Sequence, residues 1–326
     1  MCSARSDEKI FVSIACFMDP DVVNTVEDLF ARASNPERIS VGICLQYDPE
    51  LGGFDRLQTL PRVRIDPVHH ADALGPIHAR QRIESLLEDE DYFLQIDCHS
   101  RFFENWDEIL LSEYRRTLTL SERPLISHYP IDLANMTNPG HLDRIGHINR
   151  FRYVGADDIR MHGTLVPMMP QPTRAFGISA AMLFMPAAMK RAIPFDPCLH
   201  FGLQAAEQFL YSARLYTHGC DVYTPTRHTV ATEYLTNRQR IDPDAWQQHC
   251  RAAVPWREAT WSKVKYLLGL DELAQVDARY RDQVRDDVKR YGMGSARSLP
   301  DYYHYTGLHG DLLSLFPFYG TAQGGG

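Results

Sequence analysis

The feature that most constrains this chain is the alternation, over its first hundred residues, of short β-branched runs with amphipathic stretches, ending on Gln95-Ile96-Asp97-Cys98-His99. Residues 10–16 (IFVSIAC) make an apolar run of strand length, closed by the turn-like Asp19-Pro20-Asp21. Residues 22–33 put Val22, Val26, Leu29, Phe30 and Ala33 on one helical face, and Asn35-Pro36 stops them. Strands follow at 39–46 and 63–65, then a helix after Gly75-Pro76, then a fourth strand at 92–96. Strands joined through helices imply a mostly parallel sheet covered by helices, an α/β fold. Ligands of such sheets bind beyond the carboxyl ends of the strands. The residues directly after Ile96 are therefore the first candidates for chemistry.

Farther along, 106–120 reads as a helix, 125–128 and 178–185 as strands, and 203–216 as a helix with Phe209, Leu210 and Ala213 inward. Residues 135–171 show no clear period, and so long an unpatterned stretch reads as a binding loop. From Trp246 the pattern turns helical. The expected organisation is a main α/β domain over 8–240, a helical extension over 241–320 packed on it, and a disordered tail at 321–326.

Composition removes several functions. With 34 Lys+Arg against 42 Asp+Glu the net charge is −8, which argues against nucleic acid or an anionic membrane as a partner. The seven cysteines are dispersed, form no ligand spacing, and read as reduced thiols. With no apolar run long enough to cross a bilayer and no leader pattern, the expectation is a cytoplasmic enzyme. The chain contains no GxxxxGK[ST], GxSxG, HExxH or GxGxxG motif.

Asp97 and His99, two residues apart beyond a buried strand, point to the same side of an extended backbone. A hard oxygen beside a nitrogen suits Mn²⁺ better than Ca²⁺, and the pair could hold such an ion against a diphosphate. The structural alternative is an aspartate capping the next turn and a histidine bonded to backbone. Arg80, a turn into the helix after Gly75-Pro76, offers a planar cation for a diphosphate or sugar hydroxyls. Its alternative is a surface ion pair with Glu84 at i+4.

The ordered set Ile-Phe-Val-Ser-Ile-Ala (10–15), Gln46, Gly75-Pro76 with Ala79-Arg80, and Leu94-Gln95-Ile96-Asp97-Cys98-His99-Ser100-Arg101-Phe102 with Trp106-Asp107 resembles a known family. So do Pro194-Phe195-Asp196-Pro197, the run from Arg214 through Asp221 to Pro225, and Tyr291-Gly292-Met293-Gly294 with Arg297-Ser298-Leu299. The family is the α-N-acetylglucosaminyltransferases that modify hydroxyproline in a cytoplasmic ubiquitin-ligase adaptor, together with their bacterial relatives. The resemblance spans about residues 10–310.

It implies a GT-A glycosyltransferase with a Rossmann-like nucleotide-sugar fold, its Asp-x-Asp-type motif written here as Asp97-Cys98-His99. It implies a UDP-sugar donor, Mn²⁺ or Mg²⁺, retention at the anomeric carbon, and a protein or peptide acceptor. N-acetylglucosamine or another hexose would be the sugar. The family's Gly-Glu-Glu is Ala206-Glu207-Gln208 here, leaving Glu207 to orient the acceptor hydroxyl or support the developing charge. Its late histidine before a tyrosine falls at Thr232-Glu233-Tyr234, so His228, Glu233 or water replaces it as third metal ligand; His228 is the preferred reading. Ser13 and Ala15, taken to close the first strand, and Gln46 at the end of the second, join Arg80, Asp97 and Arg101 as expected donor contacts. His69-His70 reads as a loop pair, Trp106 as core, and Tyr302-Tyr303-His304-Tyr305 as packing for the tail. The competing reading is a catalytically weakened relative that serves as a peptide-binding module.

Overall fold

The computed structural model describes residues 8–50, 52–153, 159–201, 205–234 and 241–308. The first part runs β1 (Ile10–Phe17), α1 (Val22–Ala31), β2 (Ile39–Tyr47), β3 (Val63–His69), α2 (Pro76–Glu84), β4 (Tyr92–Asp97), β5 (Ser100–Phe102) and α3 (Trp106–Thr117). It continues through β6 (Pro124–Ser127), β7 (Ile131–Asp132), α4 (Pro139–Leu142), β8 (Arg144–Tyr153), β9 (Ile159–Pro167), β10 (Thr173–Arg174), β11 (Met182–Pro186) and α5 (Ala187–Ala192). A π-helical turn, Ala205–Leu210, leads into α6 (Tyr211–Thr217), β12 (Asp221–Thr224) and β13 (Val230–Thr232). The helices α7 (Pro243–Leu267), α8 (Ala278–Tyr291) and α9 (Leu299–Thr306) follow.

Eight strands form the central sheet in the order β3-β2-β1-β4-β11-β6-β12-β10. The four strands β3, β2, β1 and β4 are parallel; β11 enters antiparallel between β4 and β6. Alternation along the strands divides the core. Phe11, Cys44 and Phe93 pack under Ile77 and Ile83 of α2. Val12, Ile14, Ile43, Leu94 and Ile96 pack under Val26 and Leu29 of α1 and Trp106 and Leu110 of α3. Burying both faces explains why these strands read as continuous apolar runs. A second sheet, β5-β13-β7, stands beyond the end of β4 and carries the chain on from the Asp97–His99 turn.

Three sequence expectations need correction. Strand β1 does not close at Ser13 and Ala15: it continues to Phe17, opposite Gln46, and the Met18 amide still donates to the Gln46 carbonyl at 2.9 Å. Residues 135–171 are not one unpatterned loop, because β8 and β9 pair there as an antiparallel hairpin. The expected helix over 203–216 is a π-turn followed by α6, and residues 202–204 lie outside the described residues. The tail expected at 321–326 lies outside them too. Among the described residues no helix is long and apolar enough to cross a membrane.

The C-terminal helices lie against the sheet assembly. Ile241 and Ala245 pack on Met18, covering the turn after β1. Lys263 of α7, wholly buried, reaches Asp196 at 2.9 Å and Asp287 of α8 at 3.4 Å. On α9, the hydroxyls of Tyr302, Tyr303 and Tyr305 donate to the carbonyls of Phe176, Leu268 and Ala175.

Trp106 and Asp107 anchor the helix after the Asp97–His99 turn. The Trp106 indole donates to the Leu29 carbonyl at 2.9 Å, and Asp107 accepts from Arg38 (2.7 Å) and from the amides of Ser34 and Asn35. Burial favours the protonated acid at Asp107, yet the Arg38 contact and the two amides outweigh it and lower its pKa. A lowered carboxylate pKa gives stability that is complete above the unfolded value of about 3.9 and is lost as pH falls through the folded value. Asp107→Asn should therefore lower stability by about 2 kcal/mol at pH 7, Arg38 keeping Glu108, with the gap to wild type closing in acid. Urea melts at pH 7 and pH 3 check this.

Candidate active site

The carboxyl ends of β1 and β4 converge with α2 and the π-turn on one cluster of charges. Register places Ala15 beside Asp97, the last residue of β4. The Asp97 side chain remains 27% exposed, the most accessible of the cluster. Its Oδ1 accepts from Arg80 Nη2 at 3.3 Å, and its Oδ2 lies 4.0 Å from His99 Nε2. Arg80 comes from the second turn of α2 and is buried; its Nε pairs with Glu207 of the π-turn. A π-turn inserts a residue into a helix and re-aims the side chains around it, a device frequent at functional sites. The i+4 alternative for Arg80 does not occur: Glu84 instead meets Lys190 at 2.8 Å.

His99 is held from behind by Asp19, whose Oδ2 lies 3.1 Å from Nδ1, so that Nε2 is the nitrogen facing Asp97. Burial disfavours charge on this ring, but Asp19, Cys98 and Asp97 outweigh it and raise its pKa to about 10. Carboxylates therefore face the ring from both sides, Asp19 at Nδ1 and Asp97 at Nε2. Two neighbouring ligands each about 2.1 Å from one cation stand roughly 3 Å apart, so closing the 4.0 Å gap takes only a small rotation. Asp97 and His99 supply two donors of the kind a divalent ion takes; among the described residues the compact trio of ligating atoms at His99 is Asp19, Cys98 and His99, and Asp97 is not in it. Glu207 is buried, and its pKa is raised: desolvation pushes it up, Arg80 pulls it down, and Asp97 adds to the rise.

The other expected residues take different positions. Ser13 is fully buried in mid-strand, with its hydroxyl unpartnered among the described residues. Gln46 turns back and donates to the Cys16 carbonyl at 3.1 Å. Arg101 is forked on Asp21 at 2.7 and 3.1 Å, an ion pair that closes the turn after β1. His228 does not stand with Asp97 and His99. Among the described residues no trio of ligating atoms within 4.8 Å of one another contains it, and its ring stacks on Phe103 at 5.6 Å. Glu233, the other alternative, follows β13, and its amide donates to the His99 carbonyl at 3.2 Å.

Asp19 was missed as a contributor because its partner is 80 residues away; the only signal was an acid beyond the end of a buried strand. Away from this site, the Asp48 carboxylate lies with the rings of His69 and His70, a grouping that the loop-pair reading does not include.

The family described as Glycosyltransferase (GlcNAc) matches residues 9–51 and 55–311. The chain belongs to this family. Its fold is that of the GT-A glycosyltransferases. A crystal structure of GalNAc-T7 with UDP, GalNAc and Mn²⁺ superposes with a TM-score of 0.53 at 14% identity, over 96% of this chain. This chain spans 59% of that one. S. aureus TarS (residues 1–349) in complex with UDP-GlcNAc gives a TM-score of 0.44 at 9% identity, covering 97% of this chain and 92% of TarS. No curated protein matches in sequence.

Several motifs of this chain are scaffold. Arg297 bonds Asp221 at 2.8 Å and stacks 4.8 Å above Tyr216. A side chain at Gly294 would fall 2.6 Å from the Thr217 backbone, so glycine is what lets that loop dock. The Pro194 carbonyl accepts from buried Arg214 at 2.8 Å.

Proposed function

We propose that this protein is a metal-dependent, retaining glycosyltransferase that moves a sugar, N-acetylglucosamine first among candidates, from UDP to a hydroxyl on a protein or peptide. A catalytic domain over 8–240 with a helical extension to 320 fits that reading. The observation that carries it is the linked set His99–Asp97–Arg80–Glu207 at the carboxyl ends of β1 and β4. Asp97 and His99 would hold Mn²⁺ or Mg²⁺, with Glu233 or water beside them. Such an ion, when bound, neutralises the diphosphate as it departs.

The remaining chemistry falls to the chain. The acceptor oxygen attacks the anomeric carbon on the face from which UDP leaves. A new C–O bond forms as the bond to the β-phosphate oxygen breaks, and the acceptor proton passes to that phosphate. Glu207, neutralised by Arg80, is suited to orienting the acceptor or supporting positive charge on the sugar rather than to forming a covalent bond. Arg80 would share the phosphate charge.

UDP release from UDP-GlcNAc tests this: it should require Mn²⁺ or Mg²⁺, stop with a chelator, and fall by roughly 10²-fold in Glu207→Gln with the donor Kd little changed. Equal rates with and without the chelator would remove the metal from the reading, and wild-type turnover by Glu207→Gln would remove that side chain.

A further inference from the structure

We infer that the cavity between β7, the β8–β9 hairpin and the His228–Tyr234 segment is the acceptor subsite, where His228 binds a polar group of a hydroxyl-bearing peptide. The inference rests on the glycosyltransferase reading and adds the place where the acceptor sits.

The cavity measures about 630 Å³, and Tyr129, Asp132, His141, Leu165, His228 and Tyr234 are among its lining residues. That is the size of an ordinary ligand site, which runs from about 300 to 1,000 Å³. Tyr129, Asp132 and Tyr234 have hydrogen-bond partners, but among the described residues two of the lining histidines leave ring nitrogens unpaired. His228 is only 7% exposed; the main chain of Arg144 and of His141 approaches its ring, but among the described residues neither ring nitrogen makes a hydrogen bond of good geometry, nor does Nδ1 of His141. Buried polar atoms are nearly always paired, so an unpaired ring on a cavity wall calls for a ligand. Burial, opposed only by the nearby main chain of Arg144 and His141, keeps the His228 ring neutral. A neutral imidazole offers one donor and one acceptor, the complement of a hydroxyl or a peptide unit.

The lining argues for the acceptor over the nucleotide. Among the described residues it contains no arginine or lysine, which a diphosphate would need. The rim is apolar where a peptide would cross it, with Leu165 and Tyr234 each 44% exposed.

The cavity also adjoins the reaction centre along two walls. Tyr129 reaches Gln208, the neighbour of Glu207, at 2.9 Å. Gly146 and Gly163 permit the hairpin to press on Tyr129, since a side chain on either would come within 2.6 Å of it. On the other wall, Asp132 pairs with Thr232 of β13, which pairs with Ser100 next to His99.

The test uses pooled short synthetic peptides, each with one serine, threonine or 4-hydroxyproline among varied neighbours, offered to the full chain with UDP and Mn²⁺. Retained peptides are read by mass spectrometry, and UDP and UDP-GlcNAc affinities by calorimetry. Wild type should retain a subset of peptides. His228→Ala and the rim variant Leu165→Arg, which leaves the core untouched, should each lower retention roughly tenfold with UDP affinity within about twofold. Retention of no peptide, or equal retention by both variants, overturns the inference. So does a loss of UDP-GlcNAc affinity in His228→Ala with UDP affinity kept, which would assign the cavity to the donor sugar. A wild type that binds no UDP refutes the glycosyltransferase reading itself, and this inference with it.

Discussion

Asp97→Ala should lose transfer while keeping its fold. The side chain is the most exposed of its cluster, and Arg80 retains Glu207 when the aspartate is gone, so stability should fall by only about 1 kcal/mol. Activity depends on it far more heavily. Asp97 supplies the oxygen of the proposed ion pair of ligands and positions Arg80, so its loss removes two sources of charge stabilisation together. A fall in kcat/KM of roughly 10³-fold, about 4 kcal/mol, is the expected size. UDP release and a thermal melt on the same preparation separate the two effects.

The largest stability effect is expected at Lys190. Its ammonium is fully buried, 2.8 Å from Glu84, and it stands 3.4 Å from the Phe195 ring centre and 4.5 Å from that of Tyr211. Burial lowers its pKa to about 8, and Glu84 opposes the fall. Lys190→Met leaves Glu84 in the core with the Phe195 amide and no cation on it, which should destabilise the fold by about 3–5 kcal/mol. The double variant Glu84→Gln/Lys190→Met should recover part of this, because no lone charge remains. Denaturant melts of wild type, both single variants and the double complete the cycle. Additive losses would mean that the pair is not coupled.

How much of this was legible depended on how local the signal was. The four parallel strands could be read because both their faces are buried, which leaves β-branched runs bounded by turns. The β8–β9 hairpin could not, since its register slips between Ile148 and Arg150 and breaks the alternation that marks a strand. Asp97, His99 and Arg80 stand at strand and helix ends, a local signal, and the fold brings the three side chains together. Arg101 stands at a similar place and is bound instead to Asp21, a contact made across the turn after β1 that no spacing reveals. His228 was selected as a metal ligand by order along the chain; the fold carries it to a cavity wall. The π-turn that aims Glu207 leaves no mark in composition.

The most direct test of the central reading is calorimetric titration of UDP-GlcNAc into the full chain with and without Mn²⁺. Binding that strengthens at least roughly tenfold with the metal, and loses that gain in Asp97→Ala, is the expected result. Equal binding with and without Mn²⁺, unchanged in Asp97→Ala, would contradict it.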